Sequence, residues 1–418
     1  MKRKLAAVAA AGIATATLFA TAAAAAPRVV AQSPGTGNAA VVVDWNAELL
    51  KIVRTPGAQP STIHPTRSFA LLHAALYDAV ASVTGDRVYR VEVPVEPGTR
   101  PDAAAATAAH DTLSALYPDR VPELDAVLAS ELGAIPDGEG KEYGAALGRA
   151  VAAKELAGRA DDGSAATASA PPPGTTPGAY RPAPPMNAAP VFSGWGTVKP
   201  FVLDRGDQFR PAAPPAVDSP TYTKALAEVR DLGQDNSTTR TADQTATAKF
   251  WAAPIWNYWN EIAQREATGH HLGLLSTAQL FAELNLTLAD DVIAFYDAKY
   301  HYLVWRPVTA VRETGDPNWS PLSNTPPDPS YVGAHSAVSS AAADVLTHFF
   351  GNGYDVVVTS EAVPGVSKTF DSYRAIATEA GLSRIYAGVH TRIDHEAGET
   401  LGQQVADYVR AHWSEEYR

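Results

Sequence analysis

Apolar residues recur at intervals of three and four along most of the chain, which is the spacing of one face of an α-helix. The clearest stripe joins Phe69, Leu72, Leu76 and Val80. Alternating patterns typical of strands are few, so the sequence predicts an all-α fold, a large helical-bundle assembly. Helices are predicted over 44–53, 65–83, 102–117, 121–133, 138–160, 221–233, 241–266 and 275–301, the last as one helix or two.

Residues 163–220, called here the proline-rich wrap, interrupt this pattern. Pro171, Pro172 and Pro173 and a further run from Pro211 to Pro215 preclude a regular helix, and no strand alternation replaces it. Two interpretations stay open: an extended insertion packed on the helices, or a partly mobile excursion. In the first, the anchors are Tyr180, Phe192, Trp195 and Phe201.

The first 26 residues have the pattern of a secretory signal peptide. Lys2, Arg3 and Lys4 precede an Ala-rich apolar run, and Ala24-x-Ala26 offers a cleavage site. We therefore expect an exported protein with a flexible leader over 27–43 and a single all-helical domain over 44–418. No later apolar run is long enough to span a membrane.

Charge and composition exclude several classes of partner and site. Without the three basic residues of the signal peptide, 30 Lys and Arg stand against 45 Asp and Glu, which argues against nucleic acid as a partner. The chain has no cysteine, so disulfides, thiolate metal sites and cysteine nucleophiles are excluded. The adjacent Asp290 and Asp291 lack the downstream partners that a carboxylate metal site needs.

Three segments of the last 120 residues concentrate unusual polar chemistry. In the first, Lys299 and Arg306 stand seven apart in an otherwise aromatic and apolar stretch that Pro307 ends. Such cations make a poor core unless an anion neutralises them. In the second, Gly333 and Ala334 lead into a helix that runs to Phe350, and exposed amides at a helix start can bind an anion.

The third segment, Ser383–Asp394, is predicted to be one helix. On a helix His390 and Asp394 share a face, so the carboxylate can fix the tautomer of the ring and leave its other nitrogen free. A core histidine bonded to a helix neighbour explains that pair equally well. The three segments together predict a pocket for a tetrahedral oxyanion, with Lys299, Arg306 and Arg384 as donors and His335 and His390 beside it.

The order and spacing of these residues resemble the superfamily of vanadium-dependent haloperoxidases and type 2 phosphatidic acid phosphatases. Its signature is KxxxxxxRP, then PSGH, then SRxxxxxHxxxD. The first and third motifs stand intact as Lys299 to Pro307 and Ser383 to Asp394. The upstream stretch 67–80 and the helical pattern are also similar to secreted bacterial haloperoxidases.

The resemblance implies a role for each matched residue. His390 would be the axial ligand of vanadium, or the nucleophile of a phosphatase, and Asp394 would orient it. His335 would be the acid–base group. The oxygens of vanadate, or of phosphate, would be held by Lys299, Arg306 and Arg384 together with the amides of Gly333 and Ala334.

Two positions depart from the family pattern. Val332-Gly333-Ala334-His335 stands where Pro-Ser-Gly-His is expected, so a serine donor to the oxyanion is missing. One hydrogen bond to a charged group is worth roughly 1.5 to 3 kcal/mol, which predicts weaker vanadate retention. Asp328 replaces an aromatic residue or a histidine seven positions before His335, and a carboxylate there would repel a halide.

Three functions stay open at this stage. The first is a secreted, vanadate-dependent haloperoxidase-like oxidoreductase acting on hydrogen peroxide, a halide and an organic acceptor. The second is a phosphatase that hydrolyses phosphate esters through a phosphohistidine in the same pocket and needs no cofactor. The third is a non-catalytic oxyanion binder. The sequence indicates neither the halide nor the oligomeric state.

Overall fold

A computed structural model describes residues 37–166 and 168–413. The proposed signal peptide and most of the proposed leader lie outside these residues. Within the described ranges the chain forms thirteen α-helices and one small antiparallel sheet, and none of these helices has the length and apolar character needed to cross a membrane. The helices are α1 Ala40–Arg54, α2 Pro65–Thr84, α3 Pro101–Leu116, α4 Val121–Gly133, α5 Glu139–Gly158, α6 Pro220–Gly233, α7 Ala242–Phe250, α8 Ile255–Gly269, α9 Leu274–Tyr302, α10 Pro307–Thr314, α11 Ala334–Phe350, α12 Tyr373–Tyr386 and α13 Arg392–His412; the strands are β1 Val356–Thr359 and β2 Ser367–Phe370.

The helix predictions are confirmed in type, but two predicted helices are each divided. The segment 241–266 breaks between α7 and α8, where Pro254 cannot continue a helix because it lacks an N–H donor. The predicted helix Ser383–Asp394 is wrong as a single element: α12 ends at Tyr386 and α13 begins at Arg392. Both breaks lie beside the candidate site described below.

The centre of the molecule is α9, which is buried along most of its length and packs against α2, α11 and α13. Its apolar residues cover every face, as expected of a helix surrounded by others. The stretch 275–301 is therefore one helix and not two. Lys299 lies in its last turn, fully buried.

The crossing of α11 and α13 is made close by glycine. A Cβ atom on Gly402 would overlap the carbonyl of Ala337, and one on Gly398 would overlap the carbonyl of Gly333. Only glycine allows the two backbones to approach in this way. The crossing fixes the start of α11, which carries His335, against the start of α13, which carries Asp394.

The proline-rich wrap contains no α-helix among its described residues before α6 begins at Pro220. It is bound to α9 through Asp290, whose carboxylate accepts the backbone N–H groups of Phe201, Val202 and Leu203 at 2.6 to 2.8 Å. Further along, the N–H of Tyr180 donates to the carbonyl of Leu303 at 2.7 Å. The described part of the wrap is thus attached to α9 and to the loop that follows it.

Candidate oxyanion site

The predicted site residues converge from five different parts of the fold. Lys299 ends α9, Arg306 precedes α10, and Arg384 lies in the last turn of α12. His335 is in the first turn of α11, and His390 lies between α12 and α13. Nη1 of Arg306 lies 3.1 Å from Nε2 of His390, which joins two of the three sequence segments directly.

Lys299 and Arg306 share one carboxylate, that of Asp328. Nζ of Lys299 lies 3.1 Å from Oδ2 of Asp328, and Nη2 of Arg306 donates to Oδ1. All three side chains are buried. Burial by itself would raise the pKa of Asp328, but the charges of Lys299 and Arg306 outweigh it and hold that pKa below its usual range. Asp328 is therefore ionised and neutralises part of the cationic cluster.

Arg384 has no such partner. It is 7 % exposed, its Nη1 atom has no hydrogen-bond partner, and no carboxylate among the described residues forms an ion pair with it. Burial, followed by the nearby charge of Arg306, lowers the pKa of Arg384 to about 10, so the guanidinium stays charged at neutral pH. A buried cation without an acceptor is the signature of a site that an anion completes.

His390 is held as a neutral ring of defined tautomer. Burial and the charge of Arg306 lower its pKa to about 3. Since Arg306 can only donate, Nε2 of His390 accepts and the proton is on Nδ1, which faces Oδ2 of Asp394 at 3.3 Å. The same Oδ2 accepts from the Ser330 hydroxyl and the Thr391 N–H, both at 2.7 Å. Asp394 thus orients His390, as its spacing predicts.

The pair forms even though His390 is not helical. Gly388, with φ at 78°, turns the chain after α12 and ends the predicted helix. A Cβ atom on Gly388 would overlap the carbonyl of Gly233 at the end of α6, and one on Gly233 would overlap the backbone of Gly388. This contact of two glycines sets the direction in which the turn presents His390.

His335 is also neutral, because burial and the charge of Arg384 lower its pKa well below the usual value. Its Nε2 lies 3.0 Å from the carbonyl oxygen of Trp251. A carbonyl can only accept, so Nε2 carries the proton and Nδ1 is the nitrogen left to take one up. The break between α7 and α8 leaves this carbonyl free of the helical ladder.

The Gly333 amide, predicted as a donor to the oxyanion, has a hydrogen-bond partner within the protein. Its N–H donates to the carbonyl of Asp394 at 2.8 Å, because Gly333 caps α11 instead of standing inside its first turn. Ala334 is the first residue of α11, and the N–H groups of a first turn have no partner within the helix. The two predicted amides therefore differ: that of Gly333 is bonded to Asp394, and that of Ala334 belongs to the first turn of α11.

Three features of the site were missed by sequence reasoning. The pairing of Asp328 with both cations was not foreseen, although Pro327 and Pro329 on either side were a signal of a fixed backbone. Ser330 and the carbonyl of Trp251 act through hydrogen bonds that connect distant parts of the chain. No periodic pattern marks such contacts.

The charges and donors present fit a small tetrahedral oxyanion. Burial lowers the pKa of Lys299 to about 8, so at pH 7 it is mostly charged and adds a third positive charge to those of Arg306 and Arg384. Asp328 and Asp394 supply two negative charges, which leaves about one positive charge at the site. Nη1 of Arg384 is a donor at this site that has no hydrogen-bond partner among the described residues. Vanadate carries oxygen atoms suited to such donors, and the neutral Nε2 of His390 is a suitable ligand for its metal.

Comparison with known proteins supports the sequence resemblance. Residues 279–417 match the family model for the second helical-bundle domain of VCPO. A vanadium chloroperoxidase of Curvularia inaequalis is 26 % identical over an alignment of 234 residues, and the match covers 40 % of this chain and 38 % of that protein. The match therefore spans well under half of that relative's length.

Solved structures extend the similarity over nearly all of the chain. A crystal structure described as that of the first bacterial vanadium-dependent iodoperoxidase superposes with a TM-score of 0.77 and 26 % identity, covering 90 % of this chain and 97 % of that one. A holo-type bacterial vanadium-dependent chloroperoxidase gives 0.65 and 16 % identity, covering 92 % and 95 %. The resemblance to vanadium haloperoxidases and the all-α fold are confirmed.

Proposed function

We propose that this chain, which resembles vanadium haloperoxidases in fold and in its segment 279–417, is a secreted, vanadate-dependent peroxidase that oxidises a halide to a hypohalous species. The observation that carries the proposal is the unpaired, buried guanidinium of Arg384, which acts on the neutral His335, together with the neutral His390 beside Arg306. Export is supported by the basic start and the Ala24-x-Ala26 sequence of the predicted signal peptide. The alternative of a phosphatase uses the same cations.

Vanadate, when bound, would supply the Lewis-acid activation of hydrogen peroxide. Arg384, Lys299 and Arg306 would hold its oxygens and neutralise their charge. His390 would offer the lone pair of Nε2, because Asp394 keeps the ring proton on Nδ1. Arg306 now donates to that same Nε2, so its Nη1 hydrogen bond must be released when the ligand binds.

His335 would move a proton at Nδ1. The bond from its Nε2 to the carbonyl of Trp251 fixes the ring and the tautomer, and the lowered pKa leaves the ring neutral, with the lone pair of Nδ1 available. Bound anion would raise that pKa, because it would screen the charge of Arg384 that now opposes protonation. Proton transfer by this ring is thereby coupled to the presence of the oxyanion.

The direct test is peroxide-dependent bromination by residues 27–418, measured before and after incubation with orthovanadate in phosphate-free buffer. We expect activity only after vanadate is added. Absence of bromination, with vanadate instead inhibiting hydrolysis of an aryl phosphate, would overturn the peroxidase in favour of the phosphatase.

Two variants assign the histidines. His390→Ala should abolish turnover, and His335→Ala should lower the rate by roughly 10² to 10⁴ because proton transfer is lost. The exposed His271 is the control, since His271→Ala should leave the rate unchanged. Wild-type turnover in His390→Ala would remove this histidine from the site. A protein that only binds the oxyanion would show no turnover as wild type, so neither histidine variant would change a rate.

A further inference from the structure

We propose that Asp328 sets the charge of the oxyanion that this site accepts, restricting it to ions that carry a single negative charge. The inference rests on the proposed function only in that the site must bind an oxyanion. Its basis is that Asp328 already forms ion pairs with Lys299 and Arg306, two of the three cations of the site.

The donors of Lys299 and Arg306 are in use within the protein. Nζ of Lys299 contacts Asp328 and also donates to the carbonyls of Pro329 and Ser330. Arg306 donates through Nε to the Asp328 carbonyl at 2.7 Å, through Nη2 to its carboxylate, and through Nη1 to the carbonyl of Val389 at 2.9 Å. An oxyanion must share or displace these bonds.

Asp328 is fixed in this position by the backbone around it. Its N–H donates to the carbonyl of Pro326 at 3.0 Å, and the proline-rich wrap adds a bond from the N–H of Val191 to the carbonyl of Pro327. The flanking Pro327 and Pro329 restrict the chain further. The carboxylate is 6 % exposed, so solvent screens its charge weakly. It therefore acts as a permanent internal anion.

The remaining charge decides what can bind. Because the site keeps one positive charge with Asp328 in place, a singly charged oxyanion makes it neutral. A doubly charged ion would leave a net negative charge in a buried cavity, which is unfavourable unless a proton is taken up. A phosphate monoester carries about −1.5 to −2 at pH 7, so it falls in the disfavoured class.

Two tetrahedral probes with fixed charge separate these cases without any contribution from their own protonation. Perrhenate carries one negative charge and tungstate carries two at pH 7.5. The dissociation constant of each would be measured by displacement of vanadate from the purified protein, with isothermal titration as the second readout. In the wild-type protein we expect perrhenate to compete and tungstate to bind no more tightly than perrhenate.

Asp328→Asn removes the charge while keeping the shape of the side chain. It should tighten tungstate binding relative to perrhenate on the order of tenfold to hundredfold, since a unit charge acts on the extra charge of the dianion across a few ångströms. Asp291→Asn is the control. Asp291 is buried on α9, the helix that also carries Lys299, and it forms no ion pair with Lys299 or Arg306. Its probe ratio should equal the wild-type ratio.

Each outcome separates the inference from the function. An unchanged probe ratio in Asp328→Asn overturns the inference and leaves the function standing if vanadate still binds. Tighter binding of tungstate than of perrhenate by the wild-type protein overturns the inference even if the variant fails to fold. If wild-type protein binds none of the three ions, both the inference and the proposed function are wrong.

Discussion

At the scale of single residues, the least compensated group in the site is Arg384. The protein buries its guanidinium, places the cation of Arg306 near it, and offers Nη1 no acceptor. A buried donor without a partner costs about 1 to 3 kcal/mol of stability, and more when it is charged. Arg384 therefore lowers the stability of the free protein in exchange for affinity towards an anion.

Arg384→Met should make the free protein more stable and unable to bind vanadate. We expect the free energy of unfolding to rise by about 1 to 3 kcal/mol, because methionine fills a similar volume without a charge. Urea denaturation with and without vanadate measures both effects. Arg374→Met, an exposed position on the same helix, is the control. A variant that is less stable than wild type and still stabilised by vanadate would contradict this assignment.

A second buried group, Glu283 on α9, makes stability depend on pH. It is 2 % exposed, Oε1 has no hydrogen-bond partner, and burial raises its pKa to about 8. The folded state therefore keeps a proton that the unfolded state releases near its usual pKa of about 4.5. The stability gained from this proton is complete below about pH 4.5 and is lost as the pH rises through 8.

Glu283→Gln should flatten this part of the pH profile. The amide remains neutral at all pH values, so the variant should lose less stability than wild type between pH 5 and 9. Chemical denaturation at both pH values gives the difference, with a slope of up to about 1.4 kcal/mol per pH unit for one proton. Parallel profiles for the two proteins would show that Glu283 does not titrate in this range.

The sequence was sufficient to predict the candidate site residues whose spacing is local, since Lys299 with Arg306 and His390 with Asp394 each lie within eight positions. It was insufficient for Asp328, whose two partners come from the end of α9 and the loop after it. An unpaired carboxylate at that position would repel a halide, whereas one that is paired with two cations neutralises part of their charge. Only the folded backbone distinguishes them.

At the scale of elements, apolar spacing predicted the helices and failed at their interruptions. The stripe through Trp251, Ile255 and Trp259 continues across the break between α7 and α8, because all three side chains are buried on either side of it. The spacing of buried residues is maintained across a short turn, so this spacing alone does not show where a helix is interrupted. Pro254 and Gly388 were the available signals of the two breaks.

The close crossing of α11 and α13 predicts that adding a methyl group at Gly402 destabilises the protein. Gly402→Ala should lower the free energy of unfolding by about 1 to 3 kcal/mol, because the new methyl group meets the backbone of α11 at Ala337 and Ala341. It should also weaken vanadate binding, since α11 carries His335. Urea denaturation and vanadate titration test the two effects.

Gly269→Ala provides the matched control for that substitution. It places the same methyl group at the end of α8, where nothing lies within 4 Å of the new atom. We expect its stability to change by less than about 0.5 kcal/mol. Equal losses in the two variants would show that the helix crossing is not the cause.

At the scale of the whole molecule, the proline-rich wrap depends on a few backbone contacts with α9. Asp290 accepts three consecutive N–H groups of the wrap, and these bonds offset part of the burial that raises its pKa to about 6. Apart from a short 3-10 helix at Trp195–Thr197, the described residues of the wrap form no helix or sheet before α6 that would maintain its path. No periodic signal predicted this attachment, because it joins residues about 90 positions apart.

Asp290→Asn should release the wrap locally. An amide presents only one acceptor oxygen, so at least one of the N–H groups of residues 201–203 loses its partner, at a cost of about 2 to 4 kcal/mol. Limited proteolysis should then cut within 163–219 faster than in wild type. Asp291→Asn is the control, because both oxygens of Asp291 already lack partners. Equal cleavage rates in the two variants would place the attachment elsewhere.

The contact between Gly233 and Gly388 also limits how this protein can change over generations. A side chain at Gly233 or at Gly388 would overlap backbone atoms of the other residue. A mutation elsewhere can shorten a side chain, but it cannot remove backbone atoms. A substitution of either glycine therefore cannot be compensated by a substitution of the other. Diversity introduced into the turn before His390 would have to go around these two positions, so new specificities are more accessible through the loop that carries Asp328.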